Sequence, residues 1–270
     1  MLQNERKQYI LELINRDRIV RAADLVEKLG VSMETIRRDL EELEKAGNLR
    51  RVYGGAVLGT IYSPEPSYYN REVTHAAQKR AIAAAAYNLV EDGDTLFLDG
   101  GTTLMEVARC IAGGNKQVTV ITNAVQLACE VVKNEFCSAI LLGGALTRGE
   151  PLTSGSTASS DLTHFHANKA ILGAAGVSLR YGVTDHSFVI GSLKREMISR
   201  ADQVICAADF SKFDKTAANC ICPTQRLNVL VTDWFTEDGV CSQYTSAGVR
   251  VIRAQEPKGF NGQLPLPEKL

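Results

Sequence analysis

From Thr95 onward, short apolar runs alternate with stretches of helical pattern: Thr95 to Leu98, Val118 to Ile121, Ala139 to Leu142, Ala170 to Leu172, Val204 to Ala207 and Val229 to Val231. Runs this short, separated by helical segments, predict an α/β fold with a largely parallel sheet. In such sheets ligands sit beyond the carboxyl ends of the strands, so the residues that follow each run carry the information. They are Asp99-Gly-Gly-Thr-Thr103, Thr122-Asn123, Gly143-Gly144, Gly173-Ala-Ala-Gly176 and Asp209-Phe-Ser-Lys-Phe213, nearly all small or polar. The first is the most informative. Two glycines let backbone amides approach an anion, and two hydroxyls then open a helix whose amide end favours phosphate. A glycine at a strand end also simply makes a turn; the repetition of small and polar residues at several ends is what points to an anionic small molecule.

A second pattern occupies the N-terminal fifth. In Val31-Ser-Met-Glu-Thr-Ile-Arg-Arg-Asp-Leu40, Ser32 suits a helix N-cap and Glu34 sits where the helix dipole favours an anion. Ile36, Leu40 and Leu43 recur at helical spacing and predict one buried face. Thr35, Arg37 and Arg38 lie off that stripe, where two guanidinium forks suit phosphate oxygens or the acceptor edge of guanine. An Arg pair alone would be an ordinary solvated face, so its flanks matter. Tyr9, Ile10, Leu13 and Ile14 form an apolar face upstream, and Leu25, Val26 and Leu29 form another that ends at Gly30. This is a helix-turn-helix arrangement, whose second helix enters the major groove. Gly47 is placed to stop that helix, and Leu49-Arg-Arg-Val-Tyr-Gly-Gly-Ala-Val57 alternates as a hairpin wing. The expected DNA contacts are Ser32, Thr35, Arg37, Arg38, Arg50 and Arg51.

Arg6 with Ile10 and Ile14, the Ser32-x-x-Thr-Ile-Arg-Arg-Asp-Leu40 stretch and Arg51-Val-Tyr-Gly-Gly-Ala56 resemble the deoxyribose-operon-repressor (DeoR) family of bacterial transcription regulators. The second half resembles the effector domain of the same family, which is similar to the sugar-phosphate isomerase fold of ribose-5-phosphate isomerase and glucosamine-6-phosphate deaminase. The resemblance implies that Asp99, Gly101, Thr102 and Thr103 meet a phosphate and that Thr122, Asn123, Gly143 and Gly144 line the pocket. Lys194, in Leu193-Lys-Arg-Glu-Met-Ile198, and Lys212, in the Ser-Lys-Phe element, match positions where the family carries cations near this site, the alternative for each being a solvated surface lysine. Two departures bear on chemistry. The family often has an acid where this chain has Ala175, and acids where it has Val189 and Ile190; Asp185 and His186 are the nearest polar substitutes. An isomerase needs a positioned carboxylate, His or Lys to move a proton between carbons, so losing an acid here argues against turnover.

The boundaries follow: a winged helix-turn-helix domain over 1–58, a linker over 59–77 that holds Pro64, Pro66, Tyr62, Tyr68 and Tyr69, and an α/β effector domain over 78–270 opened by an Ala-rich helix from Gln78 to Leu89. Net charge is −1, and the first 57 residues hold 11 Lys or Arg against 10 Asp or Glu. DNA affinity therefore has to come from where charges sit, with Glu41, Glu42 and Glu44 expected away from the phosphates. Seven scattered cysteines lack the paired spacing of a zinc or redox site, and His164-x-His166 has no third ligand, so neither a metal nor a cofactor is expected. With no leader pattern and no apolar run near the roughly 18 residues that span a bilayer, the expectation is a cytoplasmic protein away from membranes. The chain reads as a regulator, in the resemblance a repressor of a carbohydrate-utilisation operon. Its expected partners are operator double-stranded DNA, a phosphorylated sugar effector and further copies of itself, as a dimer or tetramer. The alternatives are a sugar-phosphate isomerase or deaminase with a DNA-binding appendage, and an architectural DNA-binding protein with an inert second domain.

Overall fold

The computed structural model describes residues 3–17, 19–46, 48–52, 54–58, 67–147 and 149–257. The chain divides into two compact units, Met1–Pro66 and Ser67–Leu270. In the first, α1 (Gln3–Asp17), β1 (Ile19–Arg21), α2 (Ala22–Leu29), α3 (Met33–Lys45), β2 (Leu49–Val52) and β3 (Gly55–Leu58) follow in order. Ile10, Leu13 and Ile14 of α1, Leu25 of α2, and Ile36, Leu40 and Leu43 of α3 close one core with Leu49 and Ala56. The helical spacing of these side chains is therefore the spacing that buries them. Gly30 ends α2 at φ 63°, a left-handed conformation that costs a residue with a Cβ about 1–2 kcal/mol, and so turns the chain sharply into α3. The wing forms as expected, with Leu49 opposite Leu58 and Val52 opposite Gly55. A third strand, β1, pairs with β3; at three residues it is too short to show alternation. Gly47, Tyr53, residues 59–66 and the Arg50 side chain lie outside the described residues.

The second unit runs α4 (Tyr68–Val73), α5 (Ala76–Tyr87), β4 (Thr95–Leu98), α6 (Thr102–Ala112), β5 (Thr119–Thr122), α7 (Val125–Val131), β6 (Ser138–Leu141), β7 (Ala145–Leu146), β8 (Thr153–Ser154), α8 (Ser156–Leu162) and β9 (Ala167–Leu172). It continues β10 (Gly176–Ser178), β11 (Gly182–Asp185), α9 (Phe188–Ser199), β12 (Ala201–Ala207), β13 (Asn219–Cys222), β14 (Val229–Thr232), α10 (Asp238–Ser246) and β15 (Arg250–Arg253). Within the stretch read as linker, residues 67–77 belong to this unit. Ser67 caps α4, and the Lys79 ammonium donates to the Arg71 and Thr74 carbonyls at its end. A six-residue helix does not hold itself in water, so these bonds from the next helix supply what its own sequence lacks.

All six apolar runs become strands of one parallel sheet, ordered β15-β14-β12-β9-β4-β5-β6. The seventh, β15, escapes the reading because arginines stand at both its ends. Side chains alternate between the two faces, and both are covered. Leu96, Leu98, Val120, Ile171, Ile205, Val229 and Val231 pack under α5, α6 and α7. Phe97, Ile121, Ala170, Leu172, Val204, Cys206 and Leu230 pack under α8 and α9. Each of the larger buried side chains contributes about 1.5–3 kcal/mol of apolar burial. The strand order fixes where a ligand can sit: the chain goes from β4 outward to β5 and β6, then crosses back to place β9 on the other side of β4. The loops after β4 and β9 therefore diverge, opening a crevice at that switch point.

Candidate DNA-reading face and effector pocket

On α3 the Ser32 hydroxyl accepts from the Thr35 amide at 3.2 Å and lies 2.9 Å from the Thr35 hydroxyl, so both side chains shape the helix start. Arg37 and Arg38 are exposed beyond that cap, with Arg37 at 4.0 Å from Glu34. The opposite side of the helix is fixed by charge as well as by apolar contact. Asp39, 1% exposed, is bonded by Arg6 of α1, and Glu42 is bonded by Lys7. Glu44 accepts from the Arg51 amide at 2.7 Å and Glu41 stands 3.9 Å from the Arg51 guanidinium, so these acids hold the wing. Lys45 and Lys7 respectively hold the Glu41 and Glu42 carboxyls below the usual carboxylate range.

At the β4/β9 switch point, Lys194 of α9 is buried between two carboxylates, 2.7 Å from Asp99 at the end of β4 and 2.6 Å from Asp185 at the end of β11. Asp99 also accepts from the Gly173 amide at 3.2 Å. Burial pushes the Asp99 carboxyl up to about 6 despite Lys194. Burial acts on Lys194 too, but Asp99 and Asp185 override it and keep the ammonium protonated; Asp185, likewise buried, is held below its ordinary value by Lys194. Two residues after Asp99, Gly101 takes φ 122° and opens α6, whose first amides lack partners within the helix and carry its positive dipole end; Thr102 there is buried and Thr103 half-buried. A small cavity of about 10 Å³ abuts this turn, lined in part by Tyr68, Gly101, Met105, Ala124 and Leu152, room for about one water.

Thr122 and Asn123 close the end of β5, both fully buried. The Thr122 hydroxyl accepts from the Ala124 amide and the Asn123 Nδ2 donates to the Thr153 carbonyl. That leaves Asn123 Oδ1 a buried acceptor with no hydrogen-bond partner among the described residues. The Gly143 amide donates to Asp161 at 2.9 Å. Gly144 takes φ 121°, and a Cβ there would stand 2.4 Å from the Ser154 carbonyl oxygen. A second cationic group lies on α5 and the 3-10 turn Phe210–Lys212. Burial, with Lys212 and Arg71 nearby, lowers the Lys79 ammonium to about 8, while Asp209 and Glu106 of α6 pull it the other way. Lys215 is lowered by desolvation and by Lys212. His75 at the start of α5 meets Phe210 edge-on at 4.8 Å between ring centres, which ties the two elements together.

Residues 6–61 match the DeoR-like helix-turn-helix domain and residues 74–234 match the DeoR C terminal sensor domain. This chain belongs to the DeoR family. It is 32% identical over 259 residues to the HTH-type transcriptional repressor GlcR of Bacillus subtilis, covering 96% of this chain and 99% of that protein. It is also 32% identical over 255 residues to the putative aga operon transcriptional repressor of Escherichia coli O157:H7, covering 94% of each. Among solved structures it is similar to ribose 5 phosphate isomerase A from Neisseria gonorrhoeae, at 14% identity and a TM-score of 0.39 over 50% of this chain and 52% of that one. The chain is a DNA-binding transcription regulator and not an enzyme.

Within this DeoR-family chain, the structure gathers Asp99, Asp185 and Lys194 into one buried cluster, with Gly101, Thr102 and Thr103 next in sequence to Asp99. Lys212 falls instead with Lys79, Lys215 and Asp209. Of the departures from the family pattern, Ile190 is taken into the core while Val189 is exposed in the first turn of α9, and the Ala175 amide bonds the Thr184 carbonyl. Sequence reading missed Lys79, although a signal was present: it lies in helical phase with Ile82, Ala83 and Ala86, a cation on a buried stripe. All seven cysteines are free thiols. Among the described residues no group of His, Cys, Asp and Glu could hold a metal ion, and no helix is long and apolar enough to cross a membrane.

Proposed function

We propose that this regulator represses a carbohydrate-utilisation operon from the cytoplasm and that a phosphorylated sugar, bound in the second unit, controls its grip on operator DNA. The observation that carries the effector half is the pairing of one anion-seeking helix end with buried charge at the switch point. The amides and hydroxyls of Gly101, Thr102 and Thr103 suit a phosphate, and Lys79 and Lys212 supply cations on the neighbouring elements. The Asp99 carboxylate is engaged by Lys194, so its part is to hold the crevice and meet sugar hydroxyls rather than the phosphate. Asp185 and the unpartnered Asn123 Oδ1 are acceptors for further hydroxyls, with Thr122, Gly143 and Gly144 shaping that wall. On the DNA half, Thr35, Arg37 and Arg38 read bases, Ser32 caps the reading helix, and Arg50 and Arg51 of the wing grip phosphates. Thermal-shift screening of phosphorylated sugars against the whole protein tests the effector assignment, followed by calorimetry of the best ligand on the Thr102→Ala, Thr103→Ala variant. That variant loses both hydroxyls but keeps the amides, so affinity falls while the fold stays intact; unchanged affinity would put the phosphate elsewhere.

A further inference from the structure

The parallel sheet has two edges of different make. At one, β15 exposes Arg250 and Arg253 at its ends, charges of the kind that discourage a further strand. At the other, β6 opens a stretch, Ser138 to Thr147, without one charged side chain. Leu141 and Leu146 within it are 43% and 64% exposed, and Val132 and Phe136 just before it are also exposed. Among the described residues no strand pairs with the outer side of β6. The backbone on that side follows from its inner bonds. The Ser138 amide donates to the Val118 carbonyl and the Leu142 amide to the Thr122 carbonyl, and polar groups alternate along a strand, so Ala139 and Leu141 turn both N–H and C=O outward.

We propose that this edge pairs with β6 of a second copy of the chain, antiparallel, about a two-fold axis at Ile140. In that register Ala139 lies opposite Leu141 and Leu141 opposite Ala139, and each pair exchanges two hydrogen bonds. The occupant is set by charge and symmetry. An uncharged apolar edge gives nucleic acid or an acidic partner no cation to meet. Pairing β6 onto β15 would lay the leucines against Arg250 and Arg253 and would add copies without closing, whereas β6 on β6 is self-complementary and closes at two. The antiparallel register also brings the Val132 and Phe136 end of one copy beside the Gly144 to Leu146 end of the other, with the exposed Glu135 at the margin of that contact. Lys133 at that end is neutralised within its own copy by Glu130 at 2.6 Å. Pairing at this sheet edge needs neither DNA nor effector.

Light scattering of the full chain should give at least a dimer. Leu141→Asp with Leu146→Glu changes two exposed side chains, so it should keep the melting temperature and halve the mass at micromolar concentration. Leu179→Asp with Tyr181→Asp, exposed elsewhere, should leave the mass unchanged. A second measurement does not depend on disrupting anything: Ile140→Cys sets two thiols across the axis in a non-hydrogen-bonded pair, about 4.5 Å between Cα atoms, within disulfide reach. Mild oxidation should then give a covalent dimer whose cross-linked peptide joins position 140 to itself. A monomeric wild type, an unchanged mass in the Leu141, Leu146 variant, or an oligomer whose introduced thiols do not cross-link would each overturn the proposal.

Discussion

Lys79 shows how one residue can set both a cost and a use. The residue is 5% exposed; its amine donates to the Arg71 and Thr74 carbonyls and is lowered to about 8 by burial and by neighbouring cations. In the unfolded chain the same amine titrates near its ordinary value of 10.5. Between those two values the unfolded state binds more protons, so stability rises with pH through that window, and the charged amine weighs against the fold below pH 8. A bound anion reverses the balance by favouring the protonated form. The affinity of the best phosphosugar should therefore fall as pH rises above 8, by up to about tenfold per unit, a range in which phosphate itself is already fully ionised, its second pKa being near 6. Calorimetry from pH 7 to 9.5 checks this, with Lys79→Met as the control that flattens the curve. A flat wild-type profile would take Lys79 out of the site.

In the proposed reading, recognition by α3 rests on its being held from behind, since two exposed arginines read a sequence only if the helix that carries them does not roll. The apolar stripe Ile36, Leu40 and Leu43 provides part of that grip and the buried Arg6 and Asp39 pair the rest. Asp39→Ala leaves the guanidinium buried without its partner and should destabilise the first unit by roughly 3 kcal/mol, read as a lower midpoint in urea. Arg37→Ala or Arg38→Ala should instead leave folding alone and cost roughly 1–3 kcal/mol on the operator wherever the fork is bidentate to guanine, while Arg51→Ala weakens binding uniformly and flattens its salt dependence. Full operator affinity in the Arg37→Ala, Arg38→Ala variant would sink the assignment. The same distinction between near and far contacts decides what could be read from the sequence. The α3 helix was legible because cap, stripe and exposed face lie within a dozen residues, and the six apolar runs because each carries its own pattern. The strands β1 and β15 and the helix α4 were not, since Val57, Thr232 and Lys79, far along the chain or at the next helix, supply their bonds. At the candidate site the strand ends could be located one by one, yet nothing local joins Asp99 to Lys194 or sets Lys212 near Lys79.

At the scale of the molecule, effector and operator are two ligands of one chain, and their linkage is open to measurement without knowing the path between the two units. A phosphosugar that binds the folded second unit and not the unfolded chain must raise stability by mass action, by about 2.7 kcal/mol at a hundredfold excess over its dissociation constant. The melting temperature of that unit should rise accordingly. If the same ligand loosens the protein from DNA, its affinity differs between the DNA-bound and free states, and operator DNA must then weaken sugar binding by the same factor. Titrating the sugar calorimetrically with and without a saturating operator duplex, and titrating the operator with and without sugar, should give two ratios that agree. The Thr102→Ala, Thr103→Ala variant sharpens the test: it should bind operator normally without ligand, need more sugar to be released, and in cells repress at ligand levels that release the wild type. Equal sugar affinity on and off the operator would mean that the pocket binds its ligand without controlling DNA, leaving the second unit a binding domain and the switch to be sought elsewhere in the chain.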